Sequence, residues 1–181
     1  MSHPARWIAI AVAVVVVGVG VVLATQVGSD PRADTTTSQL VGDAAPELAL
    51  RDLDGNPVDS TSLAGKTVIV NFWNTWCVPC REELPALQSF AARHHDDPDV
   101  AIVGIVRDDT LRTVRDHVKA EGINWTIAMD PGSRAALAFG TRGQPETFAI
   151  SPDGIVAGAQ IGPANEDSLE KMLAAARRQA G

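Results

Sequence analysis

Cys77 and Cys80 are the only thiols in the chain, separated by Val78 and Pro79. A pair at this spacing can cycle between dithiol and disulfide, hold a soft metal or lie inert in a core. The flanking segments decide between these. On the N-terminal side, Thr67–Trp73 is a β-branched and aromatic run suited to a buried central strand. On the C-terminal side, Leu84, Leu87 and Ala91 repeat at helical spacing within a segment from about Val78 to His94. A thiolate at a helix N-terminus faces unpaired backbone N–H groups and the positive end of the dipole, so its pKa falls from ~8.5 toward neutrality or below. Cys77, at the helix mouth, is therefore the expected nucleophile. Cys80, one turn in, is the expected resolving thiol, which breaks the mixed disulfide formed by Cys77. Pro79 suits the first turn because its missing N–H would have had no partner there.

Other readings of the pair fit less well. A zinc site needs two more ligands at metal spacing, and His94 and His95 lie more than ten residues on, with no second Cys-x-x-Cys. Those histidines fall where the helix ends and are expected to meet its dipole. A purely structural disulfide over so short a loop would constrain almost nothing. Buried inert cysteines remain compatible with composition, but not readily with a strand–Cys-x-x-Cys–helix setting. No metal and no cofactor is expected.

The remaining segments supply a frame for this site. Leu48–Val58 reads as a hairpin around Asp54-Gly55-Asn56, and Val100–Val106 as a second apolar strand. Thr110–Glu121 carries Leu111, Val114 and Val118 on one face, with Gly122 as its stop. Thr147–Ile150 and Ile155–Ile161 form a hairpin about Ser151-Pro152-Asp153-Gly154. The last helix is capped by Asn165, carries Glu166 and Asp167 in its first turn, and ends on Arg177 and Arg178. Alternating strands and helices predict an α/β fold with a central mixed sheet flanked by helices.

At 181 residues the chain has room for one domain and a tail, and two neighbouring cysteines cannot staple a secreted scaffold. A net charge of −7 argues against nucleic acid, whose phosphates want a basic face. Trp7–Ala24 is free of charge and proline, close to the roughly 20 apolar residues that span a bilayer and beyond the ~7–15 of a signal-peptide core. With Arg6 before it and Asp30 the first charge after it, the segment is expected to leave the N-terminus in the cytoplasm and the rest outside. Cleavage after Val22-Leu23-Ala24 is the alternative. Gly28–Gln39 is polar and turn-rich, so the expected division is an anchor over residues 1–27, a tether over 28–40 and a domain over 41–181.

The stretches NFWNTWCVPCREELP, GQPETF and GDAAPELAL resemble the TlpA/ResA-type thiol-disulfide oxidoreductases of the thioredoxin superfamily, including the cytochrome c maturation branch called CcmG or DsbE. The likeness runs from about Val41 to the C-terminus. It implies a thioredoxin-like fold and several site residues. Trp76 matches the tryptophan before the first cysteine, and Pro85 the proline inside the active-site helix. Asn71 stands where cytoplasmic thioredoxins carry a buried aspartate. Glu83 matches an acid beneath the cysteine pair, and its position three residues after Cys80 independently places it one turn deeper on the same side. Pro145 matches a cis-proline facing the cysteines, beside which a client chain adds as a strand. Gln144 is polar where Val or Ala is expected, Ser151 replaces an aspartate, and Trp125-Thr126 replaces an aromatic or aliphatic residue before proline. Gln144 and Trp76 are expected to border the client groove. The resemblance further implies a dedicated reductase outside the cytoplasm, fed by a membrane electron donor. Its protein clients would be apocytochrome c or an oxidase assembly factor. A disulfide-forming oxidase and a copper-delivery protein using the same cysteines are the alternatives.

Overall fold

A computed structural model describes residues 38–179 and, closer to the N-terminus, only Val12 and Ala13. The chain divides into two units, Met1–Thr35 and Thr36–Gly181. All of the expected anchor Trp7–Ala24 but Val12 and Ala13, and most of the expected tether, thus lie outside the described residues, among which no helix is long and apolar enough to cross a membrane.

The second unit is built on a seven-stranded sheet. Its strands are β1 (Ala49–Asp52), β2 (Pro57–Asp59), β3 (Thr67–Trp73), β4 (Val100–Val106), β5 (Thr126–Met129), β6 (Glu146–Ile150) and β7 (Val156–Ile161). Their order is β2-β1-β5-β4-β3-β6-β7. β3, β4 and β5 are parallel, and β1, β6 and β7 pair antiparallel with their neighbours. The sheet is therefore mixed, and every residue of β3 is buried, its polar Asn71 included.

Four helices cover it: α1 (Val78–Arg93), α2 (Leu111–Glu121), α3 (Arg134–Ala138) and α4 (Glu166–Arg178). Alternate residues of the strands divide the core into two faces. Ile69, Ile102 and Ala149 meet Leu87 and Phe90 of α1 and Leu169 and Leu173 of α4, while Trp73, Val106 and Ile127 meet Cys80 and Leu84 of α1 and Val114 of α2. On the other face Val70, Phe72, Val103 and Phe148 meet Ala135, Ala136 and Phe139 in and beside α3, with Leu40 and Ala45 packed alongside. Leu40 thus belongs to the packed domain, one residue ahead of the expected boundary.

The helix ends follow their sequence signals. Thr110 accepts from the Thr113 N–H at 3.2 Å, and Gly122 closes α2 with φ 66°, a left-handed conformation that glycine adopts without strain. Asn165 and Ser168 form a reciprocal capping box on α4. β5 and α3 were not expected from the sequence, because four and five residues are too few to display a period. α3 has no side-chain cap from Ser133; the buried Asp130 carboxylate instead accepts the Ala135 and Ala136 N–H groups at 3.1 and 2.9 Å. The histidines after α1 do more than meet its dipole. The His94 ring lies 4.5 Å from the Phe90 ring, and its Nε2 is 3.0 Å from Glu170, joining α1 to α4. His95 pairs with Asp96 on the surface.

Candidate active site

β3 ends at Trp73, and Asn74–Cys77 carries the chain from the sheet into α1. Cys77 is the N-cap of that helix, in extended conformation, and its Sγ accepts the Cys80 N–H at 3.2 Å. Cys77 and Cys80 are joined as a disulfide, and both are almost fully buried. Exposure therefore does not distinguish the two sulfurs; position does. Only Cys77 receives a helix N–H, so a negative charge left there on reduction would meet a donor and the dipole together. Pro79 lies in the first turn, and Pro85 inside α1 leaves the Arg81 carbonyl without its usual donor.

The entry loop is strapped to the segment between β4 and α2. The Thr75 N–H and hydroxyl both donate to Asp109 Oδ2, at 3.1 and 2.5 Å, and the Trp76 Nε1 donates to the Asp108 carbonyl at 3.0 Å. Trp76 is held by its polar edge and leaves 57% of its surface in solvent. Val78 is 56% exposed, so two apolar side chains flank a buried disulfide.

Pro145 is buried and Gln144 half-buried, and the peptide bond between them is cis. β6 starts at the next residue and pairs antiparallel with β3, Phe72 opposite Glu146. The loop containing Gln144 and Pro145 therefore emerges at the same end of the sheet as the loop leading to Cys77. Glu146 shapes it: its Oε1 accepts the Arg142 and Gly143 N–H groups at 2.7 and 2.9 Å. The Pro145 carbonyl accepts from Gly162, fixing the loop to the end of β7.

Glu83 is buried on the inner side of α1. Its Oε1 accepts from the Ala164 N–H at 2.9 Å and the Thr147 hydroxyl at 3.3 Å, and its Oε2 from Asn71 Nδ2 at 3.1 Å. Burial raises its pKa to about 7, against the lowering effect of these three donors. Asn71 and Thr147 are register partners across β3 and β6, and Asn71 donates to both Thr147 and Glu83. Among the described residues no hydrogen bond joins Glu83 to a cysteine. The connection runs instead through Asn71, which lines a cavity that Cys80 also lines.

The structure therefore gathers Trp76, Cys77 and Cys80 at one helix mouth, sets Gln144 and Pro145 at the same end of the sheet, and places Glu83 beneath in a polar network of its own. Sequence reading missed Thr147, Asp108, Asp109 and Glu146 as parts of this assembly. The polar Thr147 beside a buried apolar run was a signal; Asp108 and Asp109 reach the site across loops, which no local spacing reveals. Ser151 is buried and accepts from the Ile155 N–H, which gives it a turn-forming role away from the cysteines. Among the described residues no group of three or more histidines, cysteines or acids could hold a metal ion.

The Redoxin family model matches residues 40–174. Thiol-disulfide oxidoreductase ResA of Bacillus anthracis is 32% identical over 133 residues, covering 74% of this chain and 76% of that protein. Thiol:disulfide interchange protein HelX of Rhodobacter capsulatus is also 32% identical, over 148 residues and 80% of each chain. A thiol:disulfide interchange protein of the thioredoxin family from Chlorobium tepidum superposes with a TM-score of 0.66 at 30% identity, covering 77% of this chain and 98% of that one. With a mixed sheet, a Cys-x-x-Cys disulfide at a helix mouth and these likenesses, the chain belongs to the Redoxin family, as a TlpA/ResA-like thiol-disulfide oxidoreductase of the thioredoxin superfamily.

Proposed function

We propose that this protein is a membrane-anchored reductase of specific protein disulfides outside the cytoplasm, serving cytochrome c maturation or oxidase assembly. The observation that carries the exchange chemistry is the buried Cys77–Cys80 disulfide, with the Cys77 sulfur on a helix N–H and exposed Trp76 and Val78 beside it. In the reduced protein the Cys77 thiolate attacks a client disulfide and a mixed disulfide forms. Cys80 then attacks the Cys77 sulfur, the client leaves as a thiol, and the protein is left oxidised. Electrons return through a membrane protein that reduces the Cys77–Cys80 bond.

The anchor reading rests on the apolar run Trp7–Ala24 and the charges that flank it. Gln144 and Pro145, with Trp76, border the client groove. A client surface set by these few residues fits a reductant that must spare other disulfides in an oxidising compartment. The loops of the domain hold no inserted client-binding domain among the described residues, as a broad-range oxidase would want. The reduction potential of the isolated domain tests the direction of flow. It is expected well below the about −120 mV of strong oxidases. In cells, deletion is expected to impair c-type cytochrome or oxidase assembly, with partial rescue by an added small thiol. A potential near that of the strong oxidases, with rapid oxidation of an unfolded dithiol protein, would reverse the assignment.

A further inference from the structure

Beneath Cys80, on the side of α2, lies a cavity of about 10 Å³ lined by Cys80, Arg81, Asn71, Trp73, Trp125 and the imidazole of His117. This is close to the smallest space that admits one water. His117 is half-buried, and its ring lies 5.5 Å from the Trp73 ring, tilted by 38°. Trp73 in turn fits only because Gly104 stands beside it on β4: a Cβ there would come within 2.7 Å of the Trp73 Nε1. Sequence, sheet and helix thus converge to put an imidazole, a group that can accept or donate a proton, on the cavity that Cys80 also lines.

We propose that His117 is the proton acceptor for Cys80 during resolution of the mixed disulfide. This rests on the reading of Cys80 as the resolving thiol. The Cys80 S–H gives its proton to the neutral imidazole across the cavity, directly or through one water, as its sulfur bonds to Cys77. The bond between Cys77 and the client sulfur breaks, and its electron pair leaves with the client thiolate. The imidazolium returns the proton to solvent or to the departing client. Of the charged or titratable groups around His117, Arg81 and Cys80 face it from α1, and Glu121 is its i+4 neighbour on α2. Trp73, Asn71, Ile123 and Trp125 are uncharged, and Asn71 leads on to Glu83. Glu83, through Asn71, and His117 thus both reach the cavity that Cys80 lines.

The experiment follows the reduced full chain reacting with excess 5,5′-dithiobis(2-nitrobenzoate), which releases one chromophore on attack by Cys77 and a second when Cys80 resolves the adduct. In His117→Phe and His117→Gln the second release is expected to slow about tenfold relative to the first at pH 7, below the full range of general acid–base effects because the transfer spans a cavity. Its pH profile should differ from that of the wild type, and free imidazole should restore part of the rate in His117→Ala. A ratio of the two rates and a pH profile matching the wild type within twofold would overturn the proposal. If the variants fail to fold, the ring ¹⁵N signals of His117 in the wild-type protein decide at pH 7: a change on reduction supports the relay and none refutes it. Cys80→Ser should release one chromophore and hold the adduct. In Cys77→Ser the remaining Cys80 should react slowly with the reagent; reaction as fast as that of Cys77 in Cys80→Ser would remove the resolving role itself, and with it both readings.

Discussion

The two sulfurs of this site differ by what surrounds them, since both are buried to a similar extent. Cys77 has the helix N–H, so Cys77→Ser is expected to abolish exchange. Cys80→Ser should accumulate mixed disulfides with clients, visible as thiol-sensitive adducts on non-reducing gels. Faster alkylation of Cys80 than of Cys77 in the reduced protein would invert these roles. Glu83 makes a separate prediction. Its pKa of about 7 in the folded chain lies above its unfolded value of 4.5, so between those pH values the folded state binds more protons than the unfolded state. Stability therefore falls as pH rises through that window. The rise from 4.5 to about 7 corresponds to about 3 kcal/mol at full deprotonation. Urea unfolding at pH 5 and pH 8 should show this decline in the wild type and not in Glu83→Gln. An equal decline in the variant would place the charge elsewhere. The same substitution should alter the pH dependence of thiol reactivity.

Among the elements, β4 and the segment that follows it carry more of the site than their distance in sequence suggests. Gly104 occupies a strand position where a methyl group would meet Ile127 Cδ1 at 2.6 Å and the Trp73 indole at 2.7 Å. Overpacking of this kind typically costs about 1–3 kcal/mol. Gly104→Ala is expected to lower the urea midpoint accordingly and to slow the second release in the aromatic-disulfide assay, because Trp73 forms a wall of the cavity under Cys80. Retention of wild-type stability would show that the indole can tilt away freely. Beyond β4, Asp109 anchors Thr75 and the Asp108 carbonyl anchors Trp76, so the loop into α1 is held from across the sheet. The strand β3 was legible from its β-branched and aromatic run, and helix α1 from its apolar spacing. This bracing was not, because Thr75 and Asp109 are joined only when β3 and β4 align in parallel register.

At the scale of the whole molecule, the intact chain is expected to stay with membranes after a high-salt wash. Protease added outside the cytoplasmic membrane should release the domain by cutting ahead of Leu40, where packing against the core begins. A soluble protein starting near Thr25 would show instead that the apolar segment is a cleaved signal. The sequence by itself determined the fold class, the cysteine pair and the boundaries of most elements. These depend on local matters: apolar period, turn residues, caps and the meeting of a strand with a helix. It also pointed to Glu83 through helical spacing and family likeness. Only the tertiary structure decided what Glu83 touches, because Thr147 and Ala164 arrive from 64 and 81 residues away. It likewise supplied β5 and α3, whose few residues are held by neighbours more than by their own propensity, and His117, which nothing in the local pattern of α2 sets apart. Burial and long-range pairing create these environments, and neither exists until the chain has folded.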